Sequence, residues 1–191
     1  MRAGSASYCY ALGDSGARSL GIERIRRREP SAPFFAHTLA VAEVAVRLRE
    51  AVRHEPDASL TFALIDAEPA CWRSSLGLGG EVEHVKPDLY VELMVGMDEL
   101  HWFVEVDRGT EHRPAIVRKL QAYERYYRSG REQLRTSIFP KVLWVVDAGQ
   151  RTETRIEQLI GWIDQGKAIT KQLFVVRSMD EATEELKGGE L

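Results

Sequence analysis

The sequence predicts an α/β fold in which helices flank a mixed central sheet. One observation is a pair of apolar runs, residues 88–95 and 100–106, joined by a Gly-Met-Asp-Glu tetrapeptide, a pattern typical of a β-hairpin. The other is that helical periodicities and short apolar runs alternate around this hairpin. The order is helix, strand, hairpin, helix, strand, helix, strand, which favours one sheet with crossover helices on its faces.

Composition sets limits on the function. The chain has 191 residues, of which 44% are hydrophobic and 29% charged, so it can form one soluble domain with a substantial core. The net charge of -3 means that any contact with DNA requires a local basic patch. Two cysteines, Cys9 and Cys71, predict neither a zinc site nor a disulfide framework, and a cytoplasmic location is expected. Neither a signal peptide nor a membrane span is expected, so no membrane partner is predicted.

The chain divides into three predicted parts. Residues 1–33 form an N-terminal extension, residues 34–178 form the α/β domain, and residues 179–191 form a flexible acidic tail. The extension contains four arginines within residues 24–28, which either contact phosphates or belong to a solvated linker.

The elements of the α/β domain follow in order. A broad apolar stripe predicts a helix over residues 34–54, and a compact apolar run predicts a strand over residues 60–65. Residues 74–85, rich in Gly and Ser, are predicted to form a loop.

After the hairpin, the pattern predicts a helix over residues 111–129. A nearly continuous apolar run at 141–146 predicts a strand buried on both faces. A second helix is predicted over 152–166, with Thr152 as its N-cap, and a last strand over 173–176.

Three acids make the hairpin a candidate site. Asp88 opens its first strand, while Glu105 and Asp107 lie near the end of its second. Side chains alternate along a strand, so Glu105 and Asp107 point to the same face. Neighbouring carboxylates repel each other unless a cation lies between them, and oxygen ligands suit Mg²⁺ or Mn²⁺. The alternative is that the acids end a strand at the solvent, before an ordinary turn.

A family resemblance sharpens this interpretation. Pro87-Asp88, the string FVEVDRGTE over residues 103–111 and the Lys-Leu-x-x-Tyr pattern of 119–123 resemble the replication-relaxation family of actinobacterial mobile elements and plasmids. The similarity extends from about residue 8 to 180. The element order also resembles the αβββαβ core of the restriction-endonuclease-like, or PD-(D/E)xK, nuclease superfamily. In that motif an acid-x-Lys follows the Pro-Asp strand, but here Asp107 stands at the lysine position.

The resemblance implies a metal-dependent DNA nuclease or nickase. Asp88, Glu105 and Asp107 would bind Mg²⁺ or Mn²⁺, and Lys119, on the following helix, would supply the missing lysine. Further residues are candidates for holding the metal ligands in place or for contacting phosphate or DNA: His37, Glu43, Glu68, Thr110, Glu111, Tyr123, Arg125, Arg128 and Arg131. Thr110 is alternatively the N-cap of the 111–129 helix. The tyrosines among those arginines alternatively pack inward.

The resemblance also bears on partners. It implies that DNA is a binding partner, and it allows a homodimer. Residues 8–20 look like the wing strand and last helix of a winged-helix unit whose recognition helix is missing, so a partner supplying DNA recognition is another expectation. Two alternatives to the nuclease remain, which are a catalytically inactive DNA-binding or scaffolding module on the same fold and an interaction protein whose acids form surface salt bridges.

Overall fold

A computed structural model describes residues 13–21, 31–55, 60–77 and 79–188. The predicted wing strand and the arginines of residues 24–28 lie outside the described residues. In chain order the elements are α1 (Asp14–Ser19), α2 (Ala32–His54), β1 (Leu60–Ala67), β2 (Arg73–Leu76), β3 (Val82–Val85), β4 (Leu89–Val95), β5 (Asp98–Asp107), α3 (Arg113–Arg128), α4 (Arg131–Thr136), β6 (Lys141–Val146), α5 (Thr152–Asp164), β7 (Phe174–Ser178) and α6 (Ala182–Leu186). Short 3₁₀ turns precede α5 and β7.

Five strands form a mixed central sheet in the order β1-β4-β5-β6-β7. The β1, β4 and β5 strands are antiparallel neighbours, whereas β5, β6 and β7 are parallel. Parallel neighbours require crossover connections, which α3 and α5 provide. The prediction of a mixed sheet flanked by helices is therefore confirmed.

Two cores cover the two faces of the sheet. One contains residues of α2 and α6, and the other contains residues of α3 and α5. Along β5, Val104 and Val106 face the α2 core, while Phe103 faces the α3 core. Because side chains alternate along a strand, Glu105 and Asp107 share the α3 face, as the sequence predicts.

The segment predicted to be a loop at 74–85 contains a two-stranded ribbon. Arg73 pairs with Val85, and Leu76 pairs with Val82, in antiparallel register between β2 and β3. The loop prediction is therefore wrong for these strands. Gly and Ser suggested a loop, but the ribbon has polar or exposed residues on most positions, so it lacks the continuous apolar run of a buried strand.

The acidic segment after residue 179 also differs from the expectation. Ala182 and Leu186 are buried, at 1% and 0% exposure, and both belong to the α2 core. The described part of the tail, up to Gly188, is therefore packed instead of frayed. Ala182 and Leu186 are four positions apart and stand among glutamates, so the sequence shows no apolar run here. Helical geometry nevertheless places both side chains on one face.

The starts of two helices correct the capping predictions. Helix α3 begins at Arg113 with His112 as its N-cap, so Thr110 lies outside the helix. Thr152 is the first residue of α5, and its N-cap is Arg151. The Thr152 hydroxyl accepts a hydrogen bond from Ala148 N at 3.2 Å and donates one to Gly149 O at 2.9 Å, which closes the preceding turn. Among the described residues, none of the helices is both long and apolar enough to cross a bilayer.

Candidate active site

The hairpin places Asp88 directly beside Glu105. Leu89 pairs with Val104 across the two strands, so Asp88 lies opposite Glu105 in the same register. The Asp88 backbone N–H donates to Val104 O at 2.9 Å, and its Oδ2 accepts from Val106 N at 2.7 Å. These bonds fix the Asp88 carboxylate against the end of β5.

Glu105 is the most buried acid of the site, with 2% exposure. Its Oε1 accepts a hydrogen bond from Tyr123 Oη at 2.7 Å, and its Oε2 accepts one from Lys119 Nζ at 2.9 Å. Burial raises the pKa of Glu105 to about 7, although the Lys119 charge opposes the shift. Burial also raises the pKa of the Tyr123 phenol, so this group remains a donor.

Lys119 joins two carboxylates. Besides Glu105 it donates to Glu111 Oε1 at 2.7 Å. Burial lowers the pKa of Lys119, but the charges and hydrogen bonds of Glu105 and Glu111 outweigh burial, so the pKa is raised and the ammonium stays charged. Lys119 and Tyr123 are four residues apart on α3, so both project towards the same carboxylate.

His37 reaches the site from the other side of the sheet. Its Nε2 lies 3.0 Å from Asp88 Oδ1. This hydrogen bond raises the pKa of His37, and the charges of Asp88 and Glu68 act in the same direction while burial opposes it. The Glu68 backbone N–H donates to Asp88 O at 3.1 Å, so Glu68 borders the site through its backbone.

A cavity of about 330 Å³ opens over Glu105, and we call it the α3 cleft. Its wall contains four residues that are basic or can become protonated. It is lined by His84, Val85, Lys86, Glu105, Ala115, Arg118, Lys119, Ala122 and Tyr123. A buried carboxylate under a basic rim can accept a cation at its floor and an anionic group such as a phosphate at its mouth.

One comparison with known proteins identifies the family. The profile of the replication-relaxation family matches residues 1–142 of the 191. The chain belongs to the replication-relaxation family. The matched region contains the hairpin and α3, and therefore Asp88, Glu105 and Lys119. No curated protein and no solved structure is significantly similar to the chain.

Asp107 has a different environment in this replication-relaxation protein. Its Oδ2 accepts from Arg155 Nε at 2.8 Å and lies 2.8 Å from Arg155 Nη2 in the same ion pair, while its Oδ1 accepts from Gly109 N at 2.6 Å. Arg155 also donates to Glu111 O at 2.7 Å. Both side chains are buried, so the Asp107 carboxylate ties α5 to the turn after β5. No local pattern marked Arg155, which lies 48 residues further along the chain.

The carboxylate oxygens and their hydrogen bonds indicate which acids could bind a divalent cation. Asp88 and Glu105 offer hard carboxylate oxygens that lie side by side, and each of their oxygens keeps acceptor capacity beyond its one hydrogen bond. These two carboxylates could hold a hard divalent cation. Asp107 differs from these two acids in that its partner is a buried guanidinium, which also bonds to the backbone of Glu111.

Three predicted contact residues lie outside the cluster. Glu43 accepts from Arg47 Nε at 2.7 Å on the outer side of α2. Thr110 is exposed in the turn before α3, and Arg131 is exposed at the start of α4. The structure brings none of these side chains to Glu105.

The arginines and tyrosines at the end of α3 serve packing and ion pairs. Arg125 pairs with Glu83 at 2.6 Å, and Arg128 pairs with Glu124 at 2.6 Å. The two tyrosines between these arginines pack inward, where Tyr126 Oη donates to Glu132 at 2.5 Å and the Tyr127 ring lies edge-on against Phe139. Tyr126 is buried and Tyr127 partly buried in the core beneath α3, as the inward-packing alternative predicts.

A second group of ligand-type residues lies at the far end of the hairpin. Glu92 and His101 are cross-strand partners, and Glu99 Oε1 lies 3.2 Å from His101 Nε2. Tyr90 Oη lies 2.6 Å from His101 Nδ1. Tyr90 and Glu99 thus each contact one of the two ring nitrogens of His101. Sequence reasoning missed the group because it is assembled by strand register.

Proposed function

We propose that this protein is a metal-dependent DNA nuclease or nickase. Membership in the replication-relaxation family indicates a role in plasmid replication or transfer. The observation that carries the nuclease proposal is the hydrogen bond from the Lys119 ammonium to Glu105, a buried carboxylate beside Asp88 under a basic rim.

Each side chain has a distinct role in this proposal. Asp88 and Glu105 would hold Mg²⁺ or Mn²⁺, which when bound supplies Lewis acidity towards water and phosphate oxygens. Lys119 places a positive charge where a phosphate enters the α3 cleft, and it orients the attacking water. Tyr123 and His37 hold the Glu105 and Asp88 carboxylates in place.

The same arrangement supports placing the fold in the restriction-endonuclease-like superfamily. The missing lysine of the acid-x-Lys pattern has a substitute, because Lys119 reaches Glu105 from α3. Asp107, which occupies the lysine position in the sequence, has a structural partner instead. Loss of the strand lysine is therefore compatible with a working site.

One observation favours an inactive DNA-binding or scaffolding module instead. Lys119 bonds to both Glu105 and Glu111, at 2.9 and 2.7 Å, so an internal cation already compensates these carboxylates. A site stabilised in this way has less need of a metal ion.

Cleavage of supercoiled plasmid distinguishes the nuclease from the inactive module. We expect nicking in Mg²⁺ or Mn²⁺ but not in EDTA, with a loss of about 100-fold or more in Glu105→Gln and in Lys119→Met. The matched controls are Glu99→Gln, at the other end of the hairpin, and Lys171→Met, whose lysine pairs with the exposed Asp164. Both controls should cut like wild type.

Other outcomes reject the nuclease or reassign a residue. Metal-dependent cutting that persists in Glu105→Gln would exclude this site. Cutting lost in Glu105→Gln but retained in Lys119→Met would keep the nuclease and remove the lysine from it. An absence of cutting together with DNA binding would leave the inactive module.

A further inference from the structure

Trp72 is an exposed aromatic side chain in the turn after β1. Its exposure is 39%, whereas Trp102 and Trp144 are almost fully buried in the two cores. A large apolar ring left at the surface is an unusual use of a residue that normally contributes its area to a core or an interface.

The Trp72 ring lies next to the α3 cleft. Lys86 Nζ lies 4.4 Å from its ring centroid, and Lys86 also lines the cleft. Lys86 and Pro87 directly precede Asp88 in the chain, so the lysine that contacts the ring is two residues from the proposed metal ligand.

The backbone around Trp72 is tied to the site. Trp72 N donates to Pro69 O at 3.2 Å, and Trp72 O accepts from Arg73 Nη1 at 3.3 Å. The neighbouring Cys71 is buried, and its Sγ donates to Pro87 O at 3.0 Å. The turn that carries Trp72 is thus hydrogen-bonded to the residue before Asp88, which ties the turn to the strand that begins beside the acids.

We infer that Trp72 stacks on an unpaired nucleobase next to the phosphate held in the α3 cleft, so that the substrate presents a single-stranded segment. The inference rests on the proposed function only in taking the cleft as a nucleic-acid site, which the inactive DNA-binding module shares. A base inside a duplex is stacked between its neighbours and does not offer a free face, whereas an unpaired base does.

Lys86 is compatible with this role. A cation over an exposed aromatic ring is held weakly compared with a stacked base, so a base can displace the Lys86 ammonium from the ring. The released ammonium, together with Arg118, which also lines the cleft, is then available to the backbone phosphate. One aromatic ring and two cations supply the contacts that a base and its phosphate need.

The test measures binding in EDTA, where no cleavage interferes. The probes are a short fluorescein-labelled oligothymidylate and a blunt-ended hairpin duplex, followed by anisotropy. We expect Trp72→Ala to weaken oligothymidylate binding about 5- to 100-fold, as loss of one stacked base does. Trp72→Phe should keep most of the affinity, and duplex binding should be weaker and insensitive to either change.

Two further measurements exclude a folding artefact. The exposed Met97 lies at the hairpin turn, so Met97→Ala should bind like wild type. Oligothymidylate should also quench wild-type tryptophan emission, and this quenching should vanish in Trp72→Phe. Equal affinity of wild type and Trp72→Ala, absence of quenching, or no binding by wild type would each overturn the inference.

The outcome is separable from that of the plasmid assay. Binding that depends on Trp72 without any cleavage would reject the nuclease and keep the stacking site. Cleavage with wild-type affinity in Trp72→Ala would keep the nuclease and reject the stacking site.

Discussion

At the scale of single residues, the site depends on one buried carboxylate. Glu105 is surrounded by a donor phenol and an ammonium, yet burial still raises its pKa to about 7. A neutral Glu105 is a poor ligand, and a cation would have to displace its proton. Lys119 and Tyr123 therefore favour the ionised form that a metal site needs.

The raised pKa of Glu105 has a consequence for stability. The folded protein binds the proton of Glu105 more tightly than the unfolded chain does, since the pKa of Glu105 in the unfolded chain is near 4.5. Proton binding by Glu105 therefore contributes fully to the free energy of unfolding below about pH 4.5. This contribution is lost as the pH rises through about 7. Urea unfolding in EDTA should show wild type losing stability relative to Glu105→Gln across this window.

Comparison with the Gln variant removes the contributions of all other titrating groups that the two proteins share. Parallel stability curves over that range would mean that the Glu105 pKa is not raised.

At the scale of elements, β5 and the turn after it carry two functions two residues apart. Glu105 faces the α3 cleft, while Asp107 binds Arg155 on α5 and the backbone of Gly109. Strand alternation puts both acids on one face, but the helix that covers each of them differs. The alternation therefore predicts the face but not the role.

Arg155→Ala tests the structural role of Asp107. It leaves a buried carboxylate without its partner, which should lower the free energy of unfolding by about 3–5 kcal/mol. Arg125→Ala removes an exposed ion pair with Glu83 and should cost about 1 kcal/mol or less. Urea denaturation measures both, and equal effects would show that Asp107 does not depend on Arg155.

Helix α6 gives a second prediction at this scale. Leu186 is fully buried in the α2 core, and its backbone O accepts from Trp102 Nε1 at 3.1 Å. Leu186→Ala should therefore destabilise the fold by about 2–5 kcal/mol. Ile160→Ala, at a 44% exposed position of α5, is the matched control and should cost far less. A flexible tail would instead tolerate Leu186→Ala without loss of stability.

At the scale of the whole molecule, the site lies where three parts of the fold meet. Helix α2 brings His37 from one face, α3 brings Lys119 from the other, and the hairpin brings Asp88 and Glu105 between them. A ligand that binds here contacts only the folded state, so it should stabilise the entire domain.

A thermal shift experiment tests metal binding independently of cleavage. Mn²⁺ at about 100 times its Kd should add about 2.7 kcal/mol to the free energy of unfolding and raise the melting temperature. Glu105→Gln should abolish the shift, and Glu99→Gln should keep it. The reverse pattern would place the ion at Glu92, Glu99 and His101.

The sequence by itself determined the mixed sheet and most helices and strands, whereas the expectation that Lys119 joins the acids came from the family resemblance. Short stretches of sequence encode the sheet and its helices, because apolar periodicity reflects burial. The short turn after β5 also fixes where α3 returns over that strand. The pattern failed for the β2–β3 ribbon and α6, whose few apolar residues stand among polar ones.

Only the tertiary structure decided which partner each acid meets. Asp107 met Arg155, 48 residues away, and Asp88 met His37, 51 residues away. Trp72 met Lys86, which lines the cleft, and the neighbouring Cys71 is hydrogen-bonded to Pro87, 16 residues along the chain. A carboxylate's role is set by the charges and donors that packing brings to it, and packing joins residues whose separation in sequence carries no local signal.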